Sequence, residues 1–390
     1  MGTTGRQRVE SAFSPEGARE TGAVICYEDI FVRDHWEELC PYPWWYRLAP
    51  GVERQMAWRR ETIRRTGQDW LPLATCRRRA EREQLCVEER ADGVYLVDGR
   101  AGSAEKLVRP EVGGWYPAAG LHSKKPQHLP CKQAELDRVL PSAPTWDPED
   151  MGRDGRADLA RQMLREFGAQ LYPIDSVASP LWLCYYLWGF EGMMEMVAEH
   201  PEAVEYACRR YLQCSLHRVR CSAVLGARGI WIEECLTDMV SPAAFERINV
   251  PVLGELVDGI RRAGMRSIYY YCGNPNDRWE MLLAAGADAL ALEESKKGFV
   301  VDIEEAAGRV RGRCVLLGNL DAIDLLPNAD EGTLRDEIAR QVRAGRANGG
   351  RFVMSIGSPV IPRTPVARVR RYLDLARELG AGGARPSADT

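Results

Sequence analysis

Gly229–Glu233 (GIWIE), Ser267–Cys272 (SIYYYC), Ala289–Glu293 (ALALE), Cys314–Leu317 (CVLL) and Phe352–Ser355 (FVMS) follow one another along the chain. These short apolar runs, rich in Val, Ile and Tyr, alternate with helical patterns, which is the signature of βα units around a parallel sheet. Between them, Ser241-Pro242 offers an N-cap with proline at N1, and Leu253, Leu256, Val257 and Ile260 recur at helical spacing. Thr333 with Asp336 resembles a capping arrangement. Thr364-Pro365 opens a last helix whose stripe is Val366, Val369, Leu373 and Ala376, before Gly380. Upstream, Ala23–Tyr27, Trp70–Leu73 and Gln170–Ile174 supply three more strands. Eight strands with crossover helices predict an α/β TIM (β/α)8 barrel, read as one domain over 1–380 with an N-terminal extension and an insertion at about 76–154. Within the insertion, Gln84–Glu88 and Gly93–Val97 read as a hairpin around Asp92-Gly93, a good turn signal. The stretch Lys106–Asp154, rich in Pro, Gly and His, is expected to be a lid or loop over the barrel mouth. Residues 381–390 (AGGARPSADT) are expected to be a disordered tail.

Composition narrows the function classes. The chain has 390 residues, 45% hydrophobic and 28% charged, enough apolar surface for a large core. Its 52 basic and 56 acidic residues give a net charge of −4, with no electrostatic footprint for nucleic acid or an anionic membrane. Twelve scattered cysteines without a C-x-x-C pair read as buried thiols in a reducing cytoplasm. The opening Met1–Arg6 shows no signal peptide, and the most apolar run, Leu181–Phe190, falls short of the roughly 18 residues of a membrane span. A cytoplasmic protein acting on a small molecule is expected, in an oligomeric state that the sequence does not fix.

In a (β/α)8 barrel the active site lies at the C-terminal ends of the strands, so polar residues that end the apolar runs are the candidates. They are Tyr27, Glu28 and Asp29; Asp175; Glu233, Glu234 and Asp238; Tyr270, Cys272, Gly273 and Asn274; Glu293 and Glu294; Asn319 and Asp321; and Ser355 through Ser358. A mouth this acidic, with one thiol, suggests a bound cation or a cationic or zinc-activated substrate. Each residue also has a plainer reading. Cys272 could be a small core hydrophobe. Glu293 and Glu294 adjoin Lys296 and Lys297 and could form a solvated loop salt bridge. Asn319 could cap a turn, and Trp44-Trp45-Tyr46 could simply pack. His35, His122, His128, His200 and His217 all lie away from the strand ends, which weakens any histidine-based site.

Ser241-Pro242 with Phe245 and Pro251, Cys272-Gly273-Asn274, Gly286-Ala-Asp288, Gly318-Asn319-Leu320-Asp321 and Pro362-Arg-Thr-Pro365 closely resemble, in order and spacing over about Asp175 to Gly380, the uroporphyrinogen decarboxylase superfamily. The resemblance implies a TIM barrel and one of two chemistries: porphyrinogen decarboxylation, or zinc-dependent methyl transfer between a small substrate and a corrinoid protein. Decarboxylases of the superfamily carry a basic Arg-Gln-Ala-Gly-Arg stretch after the first strand and a His before the last motif. Here these places read Tyr27-Glu-Asp-Ile-Phe-Val-Arg33 and Ser358. The methyltransferases carry His-x-Cys at the end of the fifth strand and a second Cys near the last motif, where this chain has Tyr270-x-Cys272 and again Ser358.

The segment Glu293-Glu-Ser-Lys-Lys-Gly-Phe with Asp302 resembles the methyltransferase-like branch more. The leading expectation is therefore a corrinoid-linked (cobalamin-type) methyltransferase. It has Glu28, Glu234, Cys272, Asn319 and Asp321 as catalytic residues, Tyr27, Asp175, Asp238, Tyr270, Asn274 and Ser358 around the substrate, and Cys272 with Glu294 as zinc ligands. A corrinoid protein is the partner. The alternatives are a decarboxylase and a non-catalytic barrel that binds a small molecule or a corrinoid protein.

Overall fold

The computed structural model describes residues 2–113, 126–296 and 298–381. Eleven strands lie among them: β1 (Gly22–Ala23), β2 (Trp70–Pro72), β3 (Leu85–Arg90), β4 (Gly93–Asp98), β5 (Ser103–Lys106), β6 (Tyr172–Ala178), β7 (Gly229–Cys235), β8 (Arg266–Cys272), β9 (Ala289–Leu292), β10 (Val315–Leu317) and β11 (Phe352–Met354). Eight form one parallel sheet in the order β1-β11-β10-β9-β8-β7-β6-β2, a TIM-like α/β barrel with helices around it. The other three form the separate antiparallel sheet β3-β4-β5, inserted between β2 and β6.

β1 and β2 stand at the two ends of the sheet order, and side chains draw these ends together. Asp69 N donates to Ala23 O (2.9 Å), Asp69 Oδ2 accepts from Ala23 N (2.8 Å), and Gln68 Oε1 accepts from Ile25 N (3.0 Å). Asp69 is buried, and its Oδ1 also receives Arg8 Nη2 (2.7 Å) and Arg377 Nη2 (2.9 Å). One carboxylate thus ties the seam to the first and last helices. A charge so far from water is tolerable because both guanidiniums and a backbone amide reach it.

Alternation along β7 and β8 decides what faces the barrel interior. Trp231 stacks on Tyr270 at 4.8 Å and meets Trp70 edge-on at 5.6 Å, so Trp231, Glu233 and Cys235 share the inner face with Tyr270 and Cys272. Glu234, Tyr269 and Tyr271 face outward, Tyr271 against Phe245 of the helix Pro242–Arg262. Two mouth turns bend the chain sharply: Tyr27 (φ 53°) and Leu236 (φ 63°) follow β1 and β7 in the left-handed region, which costs a non-glycine residue on the order of 1–2 kcal/mol.

All eight expected barrel strands are present, and the hairpin lies where Asp92-Gly93 places it, with β5 as an additional strand. Three local readings are corrected. β6 runs to Ala178 instead of stopping at Ile174, because Ser176-Val177 continues the extended chain up to the Ser179-Pro180 cap. The helix Glu331–Ala347 is capped by Asp330, whose Oδ1 accepts from Thr333 N (2.7 Å), rather than by Thr333. The flanks of the expected lid that are described pack on helices. Trp188 Nε1 donates to Pro130 O (3.0 Å), and His217 Nε2 lies 3.0 Å from Trp146 O. The middle of that stretch, His122 included, lies outside the described residues, as does 382–390. Trp45 is buried and Tyr46 stacks on Tyr42 at 4.9 Å, the packing role. The apolar run Leu181–Phe190 falls in the helix Pro180–Glu199, and among the described residues no helix is long and apolar enough to cross a membrane.

Candidate active site

The strand ends bring Tyr27, Glu233, Cys235, Tyr270, Cys272, Glu293, Glu294, Lys296 and Ser358 to one place. Tyr27 lies edge-on to Tyr270 (5.6 Å), and its hydroxyl is 3.9 Å from Cys235 Sγ. Cys235 and Cys272 are register partners on β7 and β8, and each thiol's pKa answers to the other. The Cys272 thiol is pushed well above its ordinary value by its hydrogen bond with Cys235 and by burial, with Glu293 adding to the effect. It is a protonated thiol at neutral pH.

Glu233 has a different use. Its carboxyl is raised to about 7 by burial, while a hydrogen bond from Tyr27 steadies the charged form. It is half-buried, so water or a substrate reaches it. A carboxyl on the barrel's inner face that carries its proton up to neutrality and keeps some exposed surface is suited to general-acid work.

Glu293 and Glu294 lie beyond the end of β9, where the chain has left the strand and both can turn toward one cation. Lys296 Nζ pairs with Glu293 Oε1, lies 3.6 Å from Glu294 Oε1, and donates to Ser358 Oγ (2.8 Å). Ser358 Oγ in turn donates to Glu294 Oε1 (2.7 Å). The salt bridge read from the sequence therefore exists but is buried, with both glutamates only 3% exposed. Burial pushes the Glu294 carboxyl up, against the pull of Lys296 and Ser358. Behind it, a Cβ on Gly357 would lie 2.3 Å from Glu294 Oε2, so only glycine fits, and Tyr270 OH fixes Gly357 O at 2.8 Å. Lys297 lies outside the described residues.

Several expected site residues are placed elsewhere. Glu234, one residue out of phase with Glu233, is fully buried between β7 and the outer helices. It accepts from Ser179 Oγ (2.7 Å), Asn249 Nδ2 (2.8 Å) and Tyr269 OH (3.2 Å), and burial raises it to about 7 despite these donors. Asp175 also points outward, to Arg218 Nη2 (2.8 Å) and Ser222 Oγ (2.7 Å), because β6 runs past it. Asp321 accepts from Ile323 N and Asp324 N (2.8 Å each), capping its own turn.

Asn319 Nδ2 donates to Glu293 O and Val301 O (3.1 Å each), so it braces the glutamate loop. Asp238 Oδ2 accepts from Asn274 N (3.2 Å), joining the loops after β7 and β8. Glu28 faces the β2 side: burial raises it to about 7, a hydrogen bond from Gln68 opposes that shift, and Arg59 and Arg47 are near. Cys235 was not selected from the sequence; Glu233 stood among the strand-end candidates but the catalytic role was given to Glu234, and Lys296 was read only as a salt-bridge partner. Cys235 lies two residues beyond the strand end expected at Glu233, and that spacing is the signal that could have found it.

The residues present do not fit a zinc site. Cys272 partners Cys235 and Glu293, Glu294 partners Ser358 and Lys296, and the cation held by the carboxylate pair is an ammonium. Among the described residues no group of three or more His, Cys, Asp or Glu side chains is arranged to hold a metal ion.

Comparison with known proteins supplies the family. The family model for uroporphyrinogen decarboxylase (URO-D) matches residues 147–379, more than half of the chain. Uroporphyrinogen decarboxylase of Azotobacter vinelandii is 25% identical over 252 residues, covering 62% of this chain and 68% of that protein. A Thermus thermophilus protein of the same name is 27% identical over 180 residues, 46% of this chain and 48% of its own length. Among solved structures, a methyltransferase from Methanosarcina mazei superposes with a TM-score of 0.63 over 97% of this chain and 100% of its own, at 14% identity, a likeness of fold. With its motifs from Cys272 to Pro365 inside the matched region, the chain belongs to the uroporphyrinogen decarboxylase family.

Proposed function

We propose that this barrel is a methyltransferase that takes a methyl group from a small methylated substrate at its mouth and passes it to a corrinoid carried by a partner protein. The observation that carries the reading is Glu233: an inward, half-buried carboxyl that keeps its proton to about 7, beside the Tyr27 phenol and the Cys235 thiol. Breaking a bond between methyl carbon and an oxygen, nitrogen or sulfur atom leaves an electron pair on that heteroatom. Glu233 supplies the proton that quenches it, while the methyl group leaves to the nucleophile presented from outside. Tyr27, hydrogen-bonded to Glu233, orients the acid. Tyr270 and Trp231 form an aromatic floor, and Cys272 with Cys235 supplies a soft, uncharged wall beside the methyl group.

A second reading, decarboxylation, draws on the names of the sequence relatives and on Arg47 and Arg59 beside Glu28, which could meet a carboxylated substrate. The inner face weighs against a polyanion. Glu233, Glu293 and Glu294 converge there, and Arg33, the cation of the turn after β1, is paired with Asp34 at 2.7 Å. The test is direct. Purified protein is incubated with reduced cobalamin and a panel of O-, N- and S-methyl compounds, and separately with uroporphyrinogen. Methylcobalamin formed from one of the donors, with no carbon dioxide from uroporphyrinogen, is the expected result. Carbon dioxide release without methyl transfer establishes the second reading, and inactivity in both assays favours a binding role.

A further inference from the structure

Arg47 and Arg59 stand on separate elements, the short helix Trp44–Leu48 and the helix Val52–Thr66, and meet at one aromatic ring. The Arg59 guanidinium lies 4.0 Å from the centre of the Trp58 ring, and that of Arg47 lies 6.0 Å from it. Gln55 holds the two elements in this relation. Its Nε2 donates to Tyr46 O (3.2 Å) and to Arg47 O and Ala49 O (2.8 Å each), while its Oε1 and its backbone O accept from Arg59 Nη1. Two like charges are thus fixed close together, an arrangement that costs energy until an anion shares it.

Little in the protein neutralises the pair. Arg60, the next residue, is paired with Glu166 at 2.7 Å, but among the described residues no carboxylate forms an ion pair with Arg59, and its Nε and Nη2 carry no hydrogen bond. Burial and then Arg47 lower the Arg59 pKa to about 9, against the pull of Glu28. Glu28 is itself raised to about 7 by burial, so near neutrality it is only about half ionised. Arg59 and Glu28 both keep some exposed surface. The pair also adjoins the proposed acid: Tyr27, the donor to Glu233, immediately precedes Glu28, and Asp29 next to it raises the carboxyls of both Glu28 and Glu233. Arg47 Nη2 reaches the carbonyl of that same Asp29 at 3.5 Å.

We infer that Arg47 and Arg59 form a binding site for one oxyanion, a carboxylate or phosphate group, on the small substrate whose other end meets Glu233. The inference rests on the methyl-transfer reading and names the class of donor: a methylated compound that carries a single anionic group. A guanidinium offers a planar fork of donors that matches either group, and Arg59 has donors to spare. Glu28 competes with the substrate anion for the same charges.

The experiment reads binding, so its failure leaves Glu233 and methyl transfer untested by it, and an inactive protein leaves it standing. Benzoate, phenyl phosphate and the neutral control benzamide are titrated at constant ionic strength into full-length wild type, R59M, R47M, E28Q and R54M, followed by saturation-transfer NMR, with thermal melts as a folding check. Wild type is expected to bind at least one of the two anions and to bind it better than benzamide; the tighter anion tells carboxylate from phosphate. R59M and R47M should each weaken that binding by about 10-fold or more, as for loss of a charge-assisted hydrogen bond. E28Q, which removes the competing charge, should tighten it, and R54M, whose guanidinium lies over Trp45 at 4.9 Å, should bind as wild type does. Three results overturn the inference: a wild type that binds neither anion better than benzamide, a folded R59M with wild-type affinity, or an E28Q protein that binds no more tightly. R47M decides in place of R59M if R59M fails to fold.

Discussion

Glu233 and Glu234 are neighbours on β7, and burial raises both carboxyls to about 7, yet they sit in opposite regions of the molecule. Glu233 enters the barrel interior, is half-buried and has Tyr27 as its donor. Glu234 enters the wall between sheet and helices, has no exposed surface, and is met by Ser179, Asn249 and Tyr269. A shifted pKa alone therefore does not identify a working group. An acid saturated with fixed donors and sealed from solvent is structural, and one that faces a cavity with acceptor capacity left over is placed for chemistry.

The largest expected effect comes from breaking the inner member. E233Q keeps the shape and removes the proton, and methyl transfer should fall by about 10² to 10⁴-fold, as for loss of a general acid. Its thermal melting point should stay within a few degrees of wild type. E234A should do the reverse. It strands several buried donors, costing about 2–3 kcal/mol in urea denaturation, while the folded fraction keeps its specific activity.

The pH dependence sharpens the same contrast. Glu234 has a folded pKa raised from 4.5 to about 7, so its stabilising contribution is complete below about 4.5 and is lost as pH rises through about 7. Wild type should be less stable at pH 8 than at pH 5.5, and in E234Q that difference should shrink. Y270F gives the smallest effect. Losing the bond to Gly357 O should cost about 1 kcal/mol and loosen the wall behind Glu294, seen as a modest rise in KM with kcat nearly unchanged.

The barrel was legible because its strands are apolar runs with β-branched and aromatic residues, and because some crossovers announce themselves with caps such as Ser241-Pro242. The same property hid the site's detail. A parallel strand buried on both faces, such as GIWIE, shows no alternation, so nothing in the sequence says which of two consecutive glutamates points inward. The stacking of Trp231 on Tyr270 fixes that phase, and it is a tertiary contact. Asp175 was misplaced because β6 extends past it, which exchanged a presumed strand end for a mid-strand residue facing Arg218. Lys296 was visible as a partner of Glu293 and Glu294, but its burial follows from Ser358, more than 60 residues downstream. Cys272 was found by position alone and lies on the barrel's inner face, against Cys235 and Glu293 instead of the Glu234 and Glu294 expected beside it.

The account rests on Glu233 as the proton donor, and the pH profile of kcat/KM for methyl transfer to reduced cobalamin tests it most directly. A wild-type rate that declines above about 7, with that decline absent from the residual activity of E233Q, is the predicted result. An E233Q protein that turns over at the wild-type rate with an unchanged profile would contradict it.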